Sequence, residues 1–281
     1  MDTTIVVQAP SNSIYVITFA ALTVAMLWES LAPRRVLEGS MVWRWANNFS
    51  LSLLSWYVTT VVSTMYVLWL AGWSQINHYG LYQSVSAPFL VMFFTLLLVS
   101  QLLSYLVHVA FHKIDWLWPI HAVHHTDVDV DVTTSYRHHP LEALVSLPII
   151  APIILLLGTP VEVVAAYKIF EVTFTIFSHS NIRIPEALEK YLRLIILTPD
   201  FHRLHHCVEE RYTNSNYGSL VPWYDYLFGT ASSKPFKEQE TMELGLEYLR
   251  EPRDSRLDRL IWAPVLMWRK SDSALERSSG E

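Results

Sequence analysis

A long stretch without charge is the feature that most constrains how this chain can fold. No Asp, Glu, Lys or Arg occurs between Arg44 and Lys113, and only 16% of the 281 residues are charged. Soluble domains carry about 25% charged residues. A membrane helix needs about 20 mostly apolar residues, so the stretch has room for two spans and a polar turn. The sequence therefore predicts a membrane protein with several spans.

The apolar segments and the arginines predict where the chain crosses the membrane. Three N-terminal spans are predicted, at 14–28, 51–71 and 88–107. The chain begins without the basic residues of a cleaved signal peptide, so the first span is expected to remain as an anchor. The connection after it contains Arg34, Arg35 and Arg44, whereas loop 74–87 has neither Lys nor Arg. The positive-inside rule then places the arginines, and the end of the third span, in the cytoplasm.

A further apolar region, 140–178, predicts a hairpin that enters the membrane and returns. Pro140 favours a helix start, because proline suits the first helical turn. The sequence Thr-Pro-Val-Glu at 159–162 matches a capping box and predicts the start of the returning helix. Lys168 and Glu171 lie three residues apart on that helix, so they are expected to pair away from lipid. Beyond the hairpin, an amphipathic helix is predicted at 186–197 and a membrane-surface helix at 257–268.

The net charge argues against one class of protein, and the cysteine content excludes one kind of cross-link. The formal net charge is −6, which argues against a nucleic-acid binder. Cys207 is the one cysteine in the sequence, so an internal disulfide is excluded.

Histidines are concentrated in one part of the chain. Of twelve histidines, all but His78 lie between residues 108 and 206. His108 and His112 are one helical turn apart, a spacing that is common without a metal. Two triplets repeat the spacing i, i+3, i+4, which on a helix places each within a narrow arc: His121, His124, His125 and His202, His205, His206. Imidazoles packed so closely repel when protonated, and a metal relieves that repulsion. The pattern therefore predicts metal binding.

The number of histidines favours two metal ions over one. A single tetrahedral zinc site would use three or four and leave the others without a role. About eight to ten convergent imidazoles are enough for two metals with open positions. Imidazole suits iron, zinc and copper, and spacing does not choose among them. A dinuclear site at a membrane surface, beside an apolar substrate, favours O₂ chemistry on lipid carbon and hence iron.

The order of the motifs resembles the fatty acid hydroxylase superfamily of integral membrane di-iron oxygenases. That superfamily includes sterol desaturases, sterol methyl oxidases, lipid hydroxylases and alkylglycerol monooxygenases. The likeness covers about 101–230 and rests on the pair at 108 and 112, the two triplets, Arg-His-His-Pro-Leu-Glu at 137–142, Phe-Ser-His-Ser-Asn at 177–181, Thr-Pro at 198–199, Asn-Tyr-Gly at 216–218, Asp225 and Phe-Gly-Thr at 228–230. The chain departs from the family pattern at four positions that are not expected ligands: Gln101, Val109, Asn214 and Tyr224.

The resemblance implies a set of metal ligands and of residues that support them. It selects His139, with His138 at a variable position, and it selects His179. The implied ligands of two Fe ions, for which Zn could substitute, are His108, His112, His121, His124, His125, His139, His179, His202, His205 and His206. No catalytic residue beyond the ligands is implied. Side chains that would orient the imidazoles are Asp127, Glu142, Asn181, Asp200 and Asp225.

The function implied is oxygenation of a lipid. The resemblance implies an O₂-dependent oxidoreductase that hydroxylates or desaturates an unactivated C–H position of a fatty acyl chain or sterol. Electrons would come from a separate reductase, cytochrome or ferredoxin, since the chain has no dinucleotide-binding fingerprint. Two alternatives stay open: an ether-lipid monooxygenase on the same scaffold, and a membrane metal-binding or transport protein without catalysis.

The expected fold is all-α, a polytopic membrane protein with about four transmembrane helices, plus or including the hairpin, and a cytoplasmic, helical, histidine-rich cap. Three regions are predicted: a transmembrane region 1–107, a fatty acid hydroxylase-like catalytic region 108–230 with hairpin 140–178, and a cytoplasmic tail 231–281. The predicted location is a bacterial inner membrane or the endoplasmic reticulum, with the metal site on the cytoplasmic side.

Overall fold

The computed structural model describes residues 3–37 and 40–278, and this part of the chain contains helices and no strands. The all-α prediction is therefore confirmed for these residues. The α-helices are α1 (Thr3–Leu31), α2 (Met41–Trp56), α3 (Ser63–Ile76), α4 (Leu81–Ser84), α5 (Phe89–Lys113), α6 (Trp118–His125), α7 (Pro140–Ile150), α8 (Pro152–Leu157), α9 (Val161–His179), α10 (Glu186–Leu192), α11 (Pro199–His205), α12 (Glu210–Thr213), α13 (Trp223–Phe228) and α14 (Leu257–Ser278).

Within the residues that the structure describes, three segments are long and apolar enough to cross a membrane: Asn12–Leu31, Phe89–Lys113 and Pro140–Leu157. They coincide with the predicted first and third spans and with the first half of the predicted hairpin. The predicted second span, 51–71, is not among the three. It lies in α2, a π-helical segment (Tyr57–Val62) and α3, which follow one another without a break. The count of about four spans and the division into three regions stay predictions.

Helix α9 lies at the centre of the fold. It packs against α1, α3, α5 and α11. Its buried side chains Val163, Val164 and Ile176 belong to one apolar core with Leu68 of α3 and Leu96 of α5. His179 is the last of the 19 residues of α9, so the packing of this helix determines the position of its imidazole.

The start of α9 differs from the prediction. The capping box at 159–162 is wrong, because the N-cap position is occupied by Pro160 and no side chain of the box caps the helix. Thr159 lies one residue too early to act as the cap. The amide N–H of Val161 donates instead to Oε1 of Gln75, on α3, at 3.2 Å. A side chain distant in sequence therefore replaces the local cap, which no local motif could indicate.

The turn between α8 and α9 is held by a close approach of two glycines. Gly158 ends α8 in the left-handed conformation, with φ of 61°, and Gly80 has φ of 101°. A Cβ on Gly80 would lie 2.4 Å from both the Gly158 nitrogen and the Leu155 oxygen. Gln83 Nε2 also donates to the Gly158 oxygen at 2.7 Å. The loop after α3 and the hairpin turn therefore fit together only without side chains at this contact.

The sequence predicts an amphipathic helix at 186–197 and a membrane-surface helix at 257–268. The first is shorter than predicted, because α10 ends at Leu192. The second is α14, whose Leu260 and Ala263 are buried against Leu51 of α2 and Val123 of α6. Part of the apolar face of α14 is therefore covered by protein, and its position at a membrane surface stays a prediction.

The glycine contact can be tested by replacing Gly80 with alanine. Gly80→Ala should lower the free energy of unfolding by about 2 kcal/mol more than Gly229→Ala, because overpacking adds to the cost of a positive φ. Gly229 is a matched control, since it also has a positive φ, of 73°, with nothing within 4 Å of an added Cβ. Thermal unfolding of the purified variants measures the difference, and equal effects would show that the close approach is not required.

Candidate metal centre

Nine histidines form two clusters at the ends of α5, α6, α9 and α11. The first cluster contains His108, His112, His121, His125 and His205. The second contains His124, His179, His202 and His206. Within each cluster, the nitrogen atoms that could bind a metal all lie within 4.8 Å of one another.

Each histidine triplet contributes to both clusters. In α6, His121 and His125 face the first cluster and His124 faces the second. In α11 the pattern is reversed: the outer pair, at 202 and 206, faces the second cluster and His205 faces the first. On a helix, residues i and i+4 differ by about 40° in direction, whereas residues i+3 and i+4 differ by about 100°, so one triplet can serve two sites. The structure therefore divides each triplet between the two clusters.

Backbone carbonyl groups fix the tautomer of three imidazoles. The Nδ1–H of His108 donates to the Tyr217 oxygen at 2.7 Å and that of His205 donates to the Ser215 oxygen at 2.7 Å. The Nδ1–H of His179 likewise donates to the oxygen of Thr175, one turn earlier in α9, at 2.8 Å. With the proton on Nδ1, the lone pair is on Nε2, which faces the cluster.

The spacing of the Nε2 atoms fits a bound metal better than hydrogen bonds between rings. In the second cluster, the single Nε2 lone pair of His179 faces Nε2 of His202 at 2.9 Å and Nε2 of His124 at 3.3 Å. In the first, the Nε2 atoms of His112 and His205 are buried without a hydrogen-bond partner. Two ligands about 2.1 Å from one metal lie roughly 3.0 to 3.4 Å apart, which matches the observed distances. The donor set therefore fits two metal ions.

Burial keeps these imidazoles neutral. Desolvation lowers the pKa of His124, His125, His202 and His206 well below 6.5, and the neighbouring histidines lower it further. Burial also lowers the pKa of His205, to about 3. A neutral imidazole has the free lone pair that a metal requires, so the rings are ready to bind a metal at neutral pH.

His139 lies outside both clusters, and its neighbour His138 lies beside them. The Nδ1 atom of His139 accepts from the Leu141 N–H at 3.2 Å, and its Nε2 faces the Ile261 oxygen at 3.2 Å. The ring of His138 instead stacks on His124, with centroids 4.0 Å apart. The ring of His139 is turned away from both clusters because the residue is the N-cap of α7, and its assignment as a ligand stays a prediction.

Glu142 joins His138 to the first cluster. Its two carboxylate oxygens lie 3.0 Å from Nδ1 of His138 and 3.1 Å from Nδ1 of His121. These three side chains form a third group that could hold a metal. Among the five proposed orienting side chains, Glu142 is the one that the structure places in direct contact with the clustered imidazoles.

The other proposed orienting side chains lie further away. Asp225 accepts from the N–H groups of Tyr217 and Gly218, both at 2.8 Å, so it fixes the carbonyl that holds His108. The remaining three contact charged side chains or backbone instead: Asp127 pairs with Arg44, Asn181 bonds to the backbone of Arg35, and Asp200 pairs with Arg34 and Arg203.

Two fully buried arginines hold the helices that carry the triplets. Arg137 donates to the carbonyls of Val123 and His124 at the end of α6, and to Oδ1 of Asn48. Arg203, inside the second triplet, donates to the Ser180 oxygen at 2.9 Å, next to His179. Charge-assisted hydrogen bonds of this kind are about twice as strong as neutral ones. They stabilise the approach of segments that are distant in sequence.

Two cavities connect the clusters to the interior of the helical bundle. The first, of about 210 Å³, is lined by His108, His124 and His179 together with residues of α5, α7 and α9. The second, of about 290 Å³, is bordered by α3, α7 and α9. The two share seven lining residues: Ser104, His138, Glu142, Ser146, Ile150, Glu171 and Thr175. A molecule in the second cavity could therefore reach the histidines through the first.

The comparison with known families decides what this arrangement belongs to. The model of the family described as fatty acid hydroxylase matches residues 92–230. The chain belongs to the fatty acid hydroxylase superfamily. The matched region includes all nine clustered histidines, and the resemblance inferred from the motifs is confirmed.

Curated relatives of this chain have names that describe enzymes acting on lipids. An alkylglycerol monooxygenase from Homo sapiens is 27% identical over 146 residues, covering 51% of this chain and 30% of that protein. An ornithine lipid hydroxylase from Rhizobium tropici is 28% identical, covering 50% and 41%. A very-long-chain aldehyde decarbonylase from Oryza sativa is 32% identical, covering 46% and 21%. The match thus spans less than half of each relative. No solved structure is significantly similar to the chain.

The ligand assignment can be tested by comparing His124→Ala with His139→Ala. His124→Ala should lower the bound metal from two ions towards one per chain, because it removes one of four imidazoles from the second cluster. His139→Ala should retain both ions, since its ring faces α14. Metal content by mass spectrometry of the purified variants measures this, with exposed His78→Ala as the control. If His139→Ala loses metal and His124→Ala does not, the ligand assignment implied by the family resemblance would be favoured over the one that the geometry supports.

The metal-free protein should lose stability on acidification. The pKa in the folded state is below 6.5 for His124, His125, His202 and His206 and is about 3 for His205, so the unfolded chain binds protons at these imidazoles first. Their contribution to stability is complete above about pH 6.5 and is lost as the pH falls towards about 3. Unfolding temperatures of the metal-free protein should therefore fall between about pH 7 and pH 5. A constant temperature over that interval, with the metal-loaded protein measured beside it, would contradict the expected coupling.

Proposed function

We propose that this protein is a membrane-bound di-iron oxygenase that inserts oxygen into, or desaturates, an unactivated C–H position of a lipid. The observation that carries the proposal is the pair of adjacent histidine clusters that share both triplets, in a member of the fatty acid hydroxylase superfamily. Iron would be held by the nine clustered imidazoles, with His138 and Glu142 beside them. When bound, it would supply the activation of O₂ that an unactivated C–H bond requires.

The protein's own residues have three tasks in this proposal. The carbonyls of Thr175, Ser215 and Tyr217 hold three imidazoles with their Nε2 lone pairs directed at the clusters. The shell of buried helices limits the access of water to the site. The two connected cavities admit the lipid and position a carbon atom beside the clusters. No other titratable group is required at the reacting carbon.

We propose that the chain crosses a membrane several times and that the metal centre lies on the cytoplasmic side. The three apolar segments and the arginines after α1 support this orientation. Electrons would come from a separate reductase, cytochrome or ferredoxin on the same side. Cysteine labelling from each side of intact vesicles, at positions in loop 74–87 and in the C-terminal region, tests the orientation.

An ether-lipid monooxygenase is the second candidate. The observation that favours it is the 27% identity to the alkylglycerol monooxygenase from Homo sapiens. Both candidates would use the same metal centre, so they differ only in the carbon that is oxidised. Oxidation next to an ether oxygen would release an aldehyde, whereas oxidation elsewhere would leave an alcohol or an alkene. Mass spectrometry of the lipid products separates the two.

The purified, iron-loaded protein should consume O₂ when it receives a reductant and a membrane lipid extract. We expect two iron ions per chain and oxidised lipid in amounts matching the O₂ consumed. His206→Ala, which removes a ligand of the second cluster, should lower the rate by at least about a hundredfold, because the effect of an outer-sphere partner alone reaches that size. Binding of two metals without O₂ consumption would favour a non-catalytic metal-binding or transport protein.

A further inference from the structure

A charged pair borders the cavities that lead to the histidine clusters. Lys168 and Glu171 form an ion pair on α9, as the sequence predicted, and both line the larger cavity. Glu171 also lines the smaller cavity, together with His108, His124 and His179. The side chains of Lys168 and Glu171 remain 17% and 30% exposed. Both charges can therefore be reached by a molecule inside the bundle.

The metal centre does not need these charges, and their position is costly. Neither residue belongs to a group of side chains that could hold a metal. Ionisable side chains within a membrane bundle are expensive, and they mark substrate or ion pathways when they are present. A chain that bound only hydrocarbon would be more stable with apolar residues at both positions. The ion pair is therefore explained by a ligand with polar atoms.

Glu171 is held in a fixed position. Oε1 of Glu171 accepts from the Tyr167 hydroxyl at 3.2 Å, and that hydroxyl accepts from Nε2 of Gln101 at 3.1 Å. The Oε1 atom of Gln101 in turn accepts from the Leu220 N–H at 3.0 Å. This chain of hydrogen bonds preorganises the carboxylate, which lowers the cost of ordering it when a ligand binds.

Hydroxyl groups continue the polar lining. Ser63 and Thr64 of α3, Ser104 of α5 and Ser146 of α7 border the larger cavity around the ion pair. The hydroxyls of Ser63 and Ser146 donate to backbone carbonyls, so they offer lone pairs that accept hydrogen bonds. The Lys168 ammonium has three donors, of which the ion pair uses one. The cavity thus presents both donors and acceptors. The charges of Lys168 and Glu171 cancel, and the Glu142 carboxylate at the border of the cavity is held by His138 and His121.

We propose that the Lys168–Glu171 pair binds an uncharged polar group, such as a hydroxyl or an amide, at one end of the lipid substrate. A carboxylate would be attracted by Lys168 and repelled by Glu171, and a cation the reverse, so an ion gains little from the pair. A neutral group can accept from Lys168 and donate to Glu171 without repulsion. This inference rests on the proposed oxygenase function and names its substrate class. It selects long-chain alcohols and related neutral lipids over fatty acid anions and plain hydrocarbons.

The geometry also limits where the lipid is oxidised. Glu171 and His179 are eight residues apart on α9, or about 12 Å along the helix axis. The smaller cavity, which Glu171 and the histidines both line, has a volume of about 210 Å³, equal to roughly seven water molecules in the liquid. The reacting carbon therefore lies in the part of the lipid next to its polar group, and the far end of the chain stays in the larger cavity or the bilayer.

Lipid binding and lipid oxidation test this inference separately. The full chain in lipid nanodiscs is offered hexadecanol, hexadecane or palmitate, and bound lipid is counted by native mass spectrometry. Hexadecanol should bind at least about tenfold more tightly than the other two, the size expected for hydrogen bonds to charged groups. The double variant Lys168→Met/Glu171→Leu should lose that preference while binding hexadecane as the parent does. Exposed Glu162→Gln, on the same helix, serves as the control.

The outcomes distinguish the inference from the proposed function. Equal binding of the three lipids by the parent protein, or an unchanged preference in the double variant, would overturn the inference even if lipid oxidation continued. If the parent protein prefers hexadecanol, the double variant loses this preference and the parent consumes no O₂, the oxygenase function would be overturned and the binding site would stand. If oxidation occurs, hydroxylated hexadecanol should carry the new oxygen outside the third of the chain that ends in the methyl group, and a position within that third would contradict the geometry.

Discussion

The hydrogen bonds between imidazole Nδ1–H groups and backbone carbonyls are the constraint on which the site depends. A ring that donates to the oxygen of Thr175, Ser215 or Tyr217 has its lone pair on Nε2 and a fixed orientation. Those carbonyls are held in turn, since Asp225 binds the Tyr217 and Gly218 amides. The positions of these backbone carbonyls thus determine the direction of the lone pairs. Side chains such as Asp225 in turn hold the backbone in place.

Buried charges explain how segments far apart in sequence meet at the clusters. Arg137 holds the end of α6, and Arg203 links α11 to the residue after His179. Isolated buried charges destabilise a fold, but each of these guanidinium groups donates to carbonyls or carboxylates. These hydrogen bonds favour the observed approach of α11 to the end of α9 and of the segment before α7 to the end of α6. The apolar packing of α9 provides the stability, and the arginines provide the specificity.

The sequence predicts the parts of the site that depend on local spacing. The third span, the helix start at Pro140 and the Lys168–Glu171 pair follow from periodicity and from proline and charge rules, and the structure has all three. The division of each triplet between the two clusters also follows from the helical rotation of 100° per residue, although the number of imidazoles alone does not indicate it. Tertiary contacts are different, because the cap that Gln75 provides for α9 leaves no local trace.

The different positions of the His138 and His139 rings show why a motif alone does not place a side chain. The residue before a proline is extended, with φ of −71° and ψ of 137° at His139. That conformation lets the Nδ1 of His139 cap α7 by accepting from the Leu141 N–H. Successive side chains in an extended segment point in opposite directions, so His138 turns towards His124. Pro140 thus starts the hairpin helix and also determines which of two adjacent imidazoles faces the cavity.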